Sequence, residues 1–364
     1  MFTPLERKPR PVGGVEKIQR GPLGKIFLTG FTIKKWYISF LEKEKRNFFE
    51  SAFYLLLYFL SFVYGFAVVI RNFFYNIGLL HSYRAQKKVL SIGSLSWAGS
   101  GKTTLAMYLY DKLIYKRKVA VLRRGYGNDE GKLMQDYDIK VFSRPNRISL
   151  VKQLSRQFDA FILDDGFQYR KLKRDIDIVV MAARELQKNI KLIPVSSFRE
   201  YLSSLKRANM LILNYKEEAG DFTKIKQSLQ DNFPHLKIYL ANYEIEKLMD
   251  FNSNEIAANS LRNKPVAAIT AIGYPKGFFS KLREMRLNIV KEIAYPDHYE
   301  FNPDEFIALQ NNLRDNGILD IIITHKDKYH IPKDAIKLNI YIMKVKIKIE
   351  EEEDFLKEIE KGLA

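Results

Sequence analysis

The chain has 364 residues, 46% of them apolar and 28% charged, which is enough for a sizeable core and excludes a chain disordered throughout. Its 60 Lys and Arg against 42 Asp and Glu give a formal charge of +18, which suits nucleic acid, an acidic bilayer, a phosphorylated substrate or simply a basic soluble surface. Cysteine is absent, so disulfides and thiolate metal sites are excluded, as in a cytosolic catalytic domain.

Residues 1–46 are basic and broken by Gly and Pro, as in Lys8-Pro9-Arg10-Pro11-Val12-Gly13-Gly14, and read as a loose arm. No secretory signal is expected, because the first apolar run starts too far in and no small-residue cleavage site follows it. Residues 26–41 mix aromatics with Lys34 and Lys35, as in an interfacial helix or a solvated arm. Residues 52–70, AFYLLLYFLSFVYGFAVVI, carry no charge and are long enough to cross a bilayer as a helix. Tyr54, Tyr58 and Tyr64 suit an interfacial setting. Basic residues flank both ends: Lys43, Lys45 and Arg46 before, and Arg71, Arg84, Lys87 and Lys88 after. A simple span would place one basic flank outside, against the positive-inside tendency. A helix lying in the membrane surface or dipping into one leaflet therefore competes with a span, and a buried core helix is the third reading. Residues 47–80 are assigned to this membrane-associated helix.

From Lys88 the pattern changes to short apolar runs between helical segments. Strands are expected at residues 89–92, 119–122, 160–163, 176–180 and 210–213, with a helix at 102–115. A second set follows: strands at 266–269, 289–293, 321–323 and 340–345, and helices at 277–285 and 303–313. Such alternation implies a parallel sheet covered on both faces. The expected fold is α/β, a P-loop NTPase-type parallel-sheet domain (81–240) plus a second, smaller α/β domain (241–364), preceded by the N-terminal membrane-associated helix. The tail, with Glu350 to Glu353, reads as a solvated final helix.

Two motifs carry chemistry. Ser96-Trp97-Ala98-Gly99-Ser100-Gly101-Lys102-Thr103-Thr104 follows an apolar strand and opens a helix. The general phosphate-binding pattern has Gly where Ser96 stands. Backbone N–H groups and the helix N-terminus would cradle ATP phosphates, Lys102 would reach the β/γ-phosphates, and Thr103 would ligate Mg²⁺. The blander reading is a Gly/Ser turn before a helix. The second motif is Asp164-Asp165-Gly166 at the end of a buried strand, where ligand crevices open in doubly wound sheets. One of the two carboxylates would hold Mg²⁺ and the other would tune it or position the acceptor, unless the pair is a turn cap.

Taken in order, these blocks resemble the tetraacyldisaccharide 4'-kinase (lipid A 4'-kinase) family over residues 64–331. Tyr64-Gly65, Ile77-Gly78-Leu79-Leu80 and Ser82-Tyr83-Arg84 come first, then the P-loop, in which the family itself tends to have Thr or Ser at the Ser96 position. Arg124-Gly125-Tyr126-Gly127 matches its RGYG, and Asp164-Asp165-Gly166-Phe167-Gln168 its DDGFQ. Pro194 with Phe198-Arg199-Glu200, Leu205-Lys206-Arg207-Ala208, Gly273-Tyr274-Pro275, Pro296-Asp297-His298 and Thr324 with Lys326-Asp327 follow in family order. The chain departs from the pattern at Tyr169, usually His; at Thr104, usually Pro; at His325, usually Glu; and at Asn128, which replaces Gly in a GDE-like Asn128-Asp129-Glu130.

The resemblance implies ATP- and Mg²⁺-dependent phosphorylation of the 4'-hydroxyl of an acylated glucosamine disaccharide 1-phosphate at the cytoplasmic face of the inner membrane. It implies Asp129 as the acceptor-activating base, supported by His298. Arg124 would neutralise a phosphate, or else be a surface charge beside Arg123. A lipid acceptor also gives the apolar helix a reason, since docking to the leaflet raises effective concentration. Three other readings compete: a P-loop NTPase that works as a switch or drives a membrane partner, a nucleic-acid-binding ATPase, and a kinase with another glycolipid acceptor. No nucleic-acid motif is recognisable, and no nucleic-acid partner is expected.

Overall fold

The computed structural model describes residues 37, 40–41, 43, 45–97, 99–125, 128–186, 190–215 and 222–364. Most of the 1–46 arm, Ala98, Tyr126 and Gly127 thus lie outside the described residues. In chain order the strands are β1 (Lys88–Gly93), β2 (Val119–Arg123), β3 (Val141–Ser143), β4 (Ala160–Asp164), β5 (Ile176–Ala182) and β6 (Met210–Asn214), then β7 (Lys237–Asp250), β8 (Glu255–Ile256), β9 (Val266–Thr270), β10 (Ile289–Ala294), β11 (Asp320–Thr324) and β12 (Asn339–Ile349). They form one continuous sheet, ordered β10-β9-β11-β12-β7-β6-β5-β1-β4-β2-β3, with β8 paired to β7.

The sheet has two parallel parts. β3, β2, β4, β1, β5, β6 and β7 run parallel, and so do β10, β9, β11 and β12. The parts meet at an antiparallel pair, β7 with β12, in register from Tyr341↔Asp250 to Ile349↔Ala241 with a shift at Lys344/Val345. The division expected near residue 240 falls inside β7, whose first residues pair with β6 and whose remainder pairs with β12. The central strands read as unbroken apolar runs because helices cover both faces. β7 escapes that pattern: Lys237-Ile238-Tyr239-Leu240 continues into Glu244, Glu246 and Lys247 as one face becomes exposed.

One face is covered by helix Lys102–Ile114 and, as a correction to the solvated tail, by helix Glu352–Leu363. Phe355, Ile359 and Leu363 recur at helical spacing and are buried against that core, while the acidic residues point outward. The opposite face is covered by helix Phe222–Asn232 and the segment around Leu192 to Ala208.

Helix Phe48–Asn76 opens with an Asn47/Glu50 capping box. Its 29 residues extend about 43 Å at 1.5 Å per residue. Leu57, Ser61, Gly65 and Val68 form one buried stripe, which disposes of the core-helix reading for the rest of the surface. Ser61 Oγ donates to the Leu192 carbonyl at 2.8 Å and Tyr64 Oη to the Arg199 carbonyl at 3.0 Å. A Cβ on Gly65 would lie 2.5 Å from Tyr201 Oη, so glycine sets how closely the helix approaches. At its far end, Arg71 and Asn72 bond the buried Glu200 at 3.3 and 2.9 Å. Leu55, Leu56, Phe59, Phe62 and Phe66 on the remaining surface are exposed.

Candidate active site

β1 delivers the chain into the phosphate-loop segment, and helix Lys102–Ile114 leaves it. Gly101 is the N-cap, left-handed at φ 96°, and has no capping side chain, so the first N–H groups of the helix stay available. A Cβ there would sit 1.6 Å from Tyr243 Oη, so backbone conformation and space both require glycine. Ser96 is fully buried, and its Oγ donates to Glu185 Oε1 at 2.5 Å. Serine in place of glycine is thereby explained: the hydroxyl has a carboxylate built for it on the neighbouring segment. Trp97 is half exposed, and its backbone N–H donates to the Ser197 carbonyl at 3.0 Å. The Ser100 carbonyl accepts from Asn214 Nδ2 at 3.1 Å. Thr103 and Thr104 lie half-buried in the first helical turn.

The end of β4 supplies two carboxylates in different settings. Asp164 is buried; its Oδ2 accepts from Arg123 Nε at 3.0 Å, and its Oδ1 is buried without a hydrogen-bond partner. Burial pushes its carboxyl up, reinforced by Glu130 and opposed by Arg123. Asp165 turns out of the strand at φ 53°, a strained setting that Asp tolerates better than most residues. Arg199 grips it with two N–H groups at 2.9 and 2.8 Å, and Lys102 Nζ lies 3.9 Å away. Burial opposes its ionisation, but Arg199 and Lys102 outweigh that and hold it at about 2. Arg199 also donates to the Ser94 and Ser96 carbonyls at 3.0 and 3.1 Å, tying the phosphate loop to the Asp165 turn. The orphaned oxygen of Asp164, next to Asp165 at the end of β4, is a hard oxygen donor that fits Mg²⁺.

Arg123 is the bridge to the third cluster. Besides Asp164 it donates to Glu130, next to Asp129 in the first turn of helix Asn128–Gln135. Asp129 is buried, and three groups converge on its Oδ2: His298 Nδ1 at 2.9 Å, His330 Nε2 at 3.3 Å and Lys326 Nζ at 3.7 Å. Burial alone would raise its carboxyl, but the two histidine bonds and Lys326 reverse this and hold it far below the usual carboxylate range. The Asp129 bond in turn raises His298, against burial and Lys326. Two imidazoles and a carboxylate could also ligate a metal ion, but the Lys326 ammonium already supplies the positive charge at that oxygen. His298 sits at φ 61°, its N–H bonded to the Ala271 carbonyl at 3.0 Å. A Cβ on Gly273 would lie 3.4 Å from Asp297 and 3.7 Å from the Gly99 nitrogen, so the His298 loop borders the phosphate loop.

Lys102, Asp165, Asp164, Asp129 and His298 are thus brought into one connected region. Arg124 stands exposed at the end of β2, and the buried ion pairs are made by its neighbour Arg123. Sequence reasoning assigned no role to Arg123, Glu130, Glu185, Arg199, Lys326 or His330. Arg123 ends an otherwise apolar strand, a signal that its charge needs a buried partner; Glu130, Arg199 and Lys326 stand inside the family-order blocks, and Glu185 and His330 carry no local mark.

Comparison with known proteins matches the chain to the family model "Tetraacyldisaccharide-1-P 4'-kinase" over residues 53–136 and 129–364. A tetraacyldisaccharide 4'-kinase of Halothermothrix orenii is 25% identical over 90% of this chain and 98% of its own length. One from Aquifex aeolicus is 30% identical over 82% and 95%. Among solved structures, LpxK from Aquifex aeolicus in complex with ATP superimposes with a TM-score of 0.68 at 27% identity, covering 86% of this chain and all of that one.

Proposed function

The chain belongs to the tetraacyldisaccharide-1-P 4'-kinase family, and from that premise we propose that Asp129 accepts the proton of the attacking hydroxyl. The protein is an ATP-dependent kinase that transfers the γ-phosphate to the 4'-hydroxyl of an acylated glucosamine disaccharide 1-phosphate. The observation that carries the role of Asp129 is its setting: a buried carboxylate held ionised by His298, His330 and Lys326, with the His298 loop bordering the phosphate loop. Such a carboxylate is a weak base toward a free alcohol. Proton transfer therefore follows bond formation to phosphorus, as the hydroxyl becomes acidic in a loose transition state. His298, raised by that same carboxylate, orients it and offsets its charge.

Lys102 and the N–H groups of the loop from Gly99 to Thr104 bind the ATP phosphates. Arg199 keeps Asp165 and the loop in fixed relation. Asp164, Asp165 and Thr103 would hold Mg²⁺, which neutralises charge on the phosphates when bound. Arg124, exposed after the end of β2, would neutralise a phosphate.

The apolar face of helix Phe48–Asn76 supports attachment to one leaflet rather than a free-standing span, because the Ser61 and Tyr64 bonds hold the helix along the catalytic body. The acceptor's acyl chains would remain in that leaflet, at the cytoplasmic face of the inner membrane. The decisive assay follows ³²P from γ-labelled ATP into detergent-dispersed disaccharide 1-phosphate. Asp129→Ala is expected to lose on the order of 10²–10⁴-fold in transfer while still binding ATP. Full transfer by that variant would overturn the base assignment. Hydrolysis of ATP by wild type without lipid labelling would favour a membrane-associated NTPase.

A further inference from the structure

We propose that His330 is a second positioning residue for Asp129, gripping the carboxylate from its buried side as His298 does from its exposed side. The proposal rests on the reading of Asp129 as the base. His330 is 9% exposed, and its Nε2 lies 3.3 Å from Asp129 Oδ2. Its Nδ1 is buried with no hydrogen-bond partner among the described residues, so the useful tautomer carries its proton on Nε2 and donates to Asp129. His298 reaches the same oxygen through Nδ1, and the two rings stand nearly perpendicular with centroids 6.0 Å apart. All three donors address Oδ2, which leaves Oδ1 as the atom able to meet an acceptor hydroxyl. A carboxylate held by one imidazole can still swing about its Cα–Cβ bond; one held from two sides cannot.

The fold ties the backbone of both histidines to one buried acid. The His330 N–H donates to the Asp327 carbonyl at 3.0 Å. The Asp327 carboxylate accepts from Thr270 Oγ1 at 2.8 Å, the Ala271 N–H at 2.8 Å and Thr324 Oγ1 at 2.6 Å. Ala271 in turn accepts the His298 N–H. The far end of the helix that carries Asp129 is held by the same loop, since Asp136 accepts from Lys328 at 3.0 Å and from Tyr329. Asp129 is therefore located by contacts at both ends of its helix, and His330 is the innermost of them. Removing it leaves a buried oxygen short of a donor and the base free to misalign.

The test is single-turnover transfer by His330→Ala, His330→Gln, Asp129→Ala and the Asp129→Ala/His330→Ala double variant. Fluorescent-nucleotide titration and thermal unfolding of each variant establish that it folds. His330→Ala is expected to lose about 10- to 100-fold in the single-turnover transfer rate with nucleotide affinity unchanged. His330→Gln, whose amide N–H replaces Nε2–H, is expected to stay within about threefold of wild type. In the Asp129→Ala background His330→Ala should cost nothing further, since it acts through the missing carboxylate. The proposal is overturned by full activity of His330→Ala, by His330→Gln falling as far as alanine while ATP binding holds, or by losses that multiply in the double variant. Full transfer by Asp129→Ala alone would sink the base reading itself, and the His330 role with it.

Discussion

Neighbouring residues of like type do opposite things in this protein. Asp164 faces inward, with its carboxyl raised by burial and one oxygen unpartnered, whereas Asp165 swings out to Arg199 and Lys102 and stays ionised. Arg123 is buried between Asp164 and Glu130, and Arg124 is exposed. Lys102 has Asp165 as its neighbour, so Lys102→Ala should weaken phosphate binding and cut kcat on the order of 10²–10³-fold, as loss of one charge-stabilising donor does elsewhere. Steady-state kinetics over a range of ATP concentrations check this, and an unchanged kcat would refute it.

His325 carries a pH prediction. Burial, then Lys344 and Lys328, push its imidazole down to about 4 against an ordinary 6.5. The folded state therefore favours neutral His325. Its contribution to stability is complete above about pH 6.5 and is lost as pH falls toward 4, by about 2 kcal/mol at pH 5. His325→Phe, which keeps a ring against Tyr137 and Tyr329, should flatten the fall in melting temperature between pH 7.5 and 5. An equally steep fall in the variant would show that other groups carry it.

At the scale of elements, helix Phe48–Asn76 divides its labour by face. The Leu57, Ser61, Gly65 and Val68 stripe was not distinguishable in a segment that is apolar all round; only the partner surface at Leu192 and Tyr201 marks it. The outward side chains contribute about 1.5–3 kcal/mol each when buried in an apolar phase. Leu55→Asp with Phe59→Asp should therefore abolish sedimentation with anionic phospholipid vesicles while leaving transfer to detergent-dispersed acceptor within about threefold. Loss of both together would mean that the face also shapes the active site. Helix Asn128–Gln135 and strand β7 were not apparent in advance, because one is short and mostly polar and the other mixes buried and half-exposed residues, with Glu244, Glu246 and Lys247 interrupting its apolar positions.

Across the whole molecule the two parallel parts are less separable than a boundary near 240 implies. β7 pairs with β6 on one edge and β12 on the other, and the chain then returns through helix Glu352–Leu363 to the first part. Phe355 and Ile359 are fully buried there, and a Cβ on Gly362 would lie 2.5 Å from Ile176 of β5. Phe355→Ala should cost about 3–5 kcal/mol by the cavity it leaves. Urea unfolding followed by Trp97 fluorescence in a Trp36→Phe background would register this in the phosphate-loop half, far from residue 355 in sequence. A midpoint unchanged from wild type would mean that the final helix packs loosely.

The sequence by itself determined the local items: short apolar strands between helices, the glycine-spaced phosphate loop, the paired aspartates at a strand end and a long uncharged helix. These are legible because periodicity and turn chemistry act over a few residues. In family order they also carried the resemblance to a lipid A kinase. Tertiary structure decided which charges meet. That Asp129 gathers His298, Lys326 and His330, that Arg123 rather than Arg124 is buried, that Glu185 receives Ser96 and that the last helix returns to the first half all depend on contacts between residues far apart in the chain. A charged side chain looks the same in sequence whether it ends in water or against a buried partner, and only the packing of the two parallel parts separates the two outcomes.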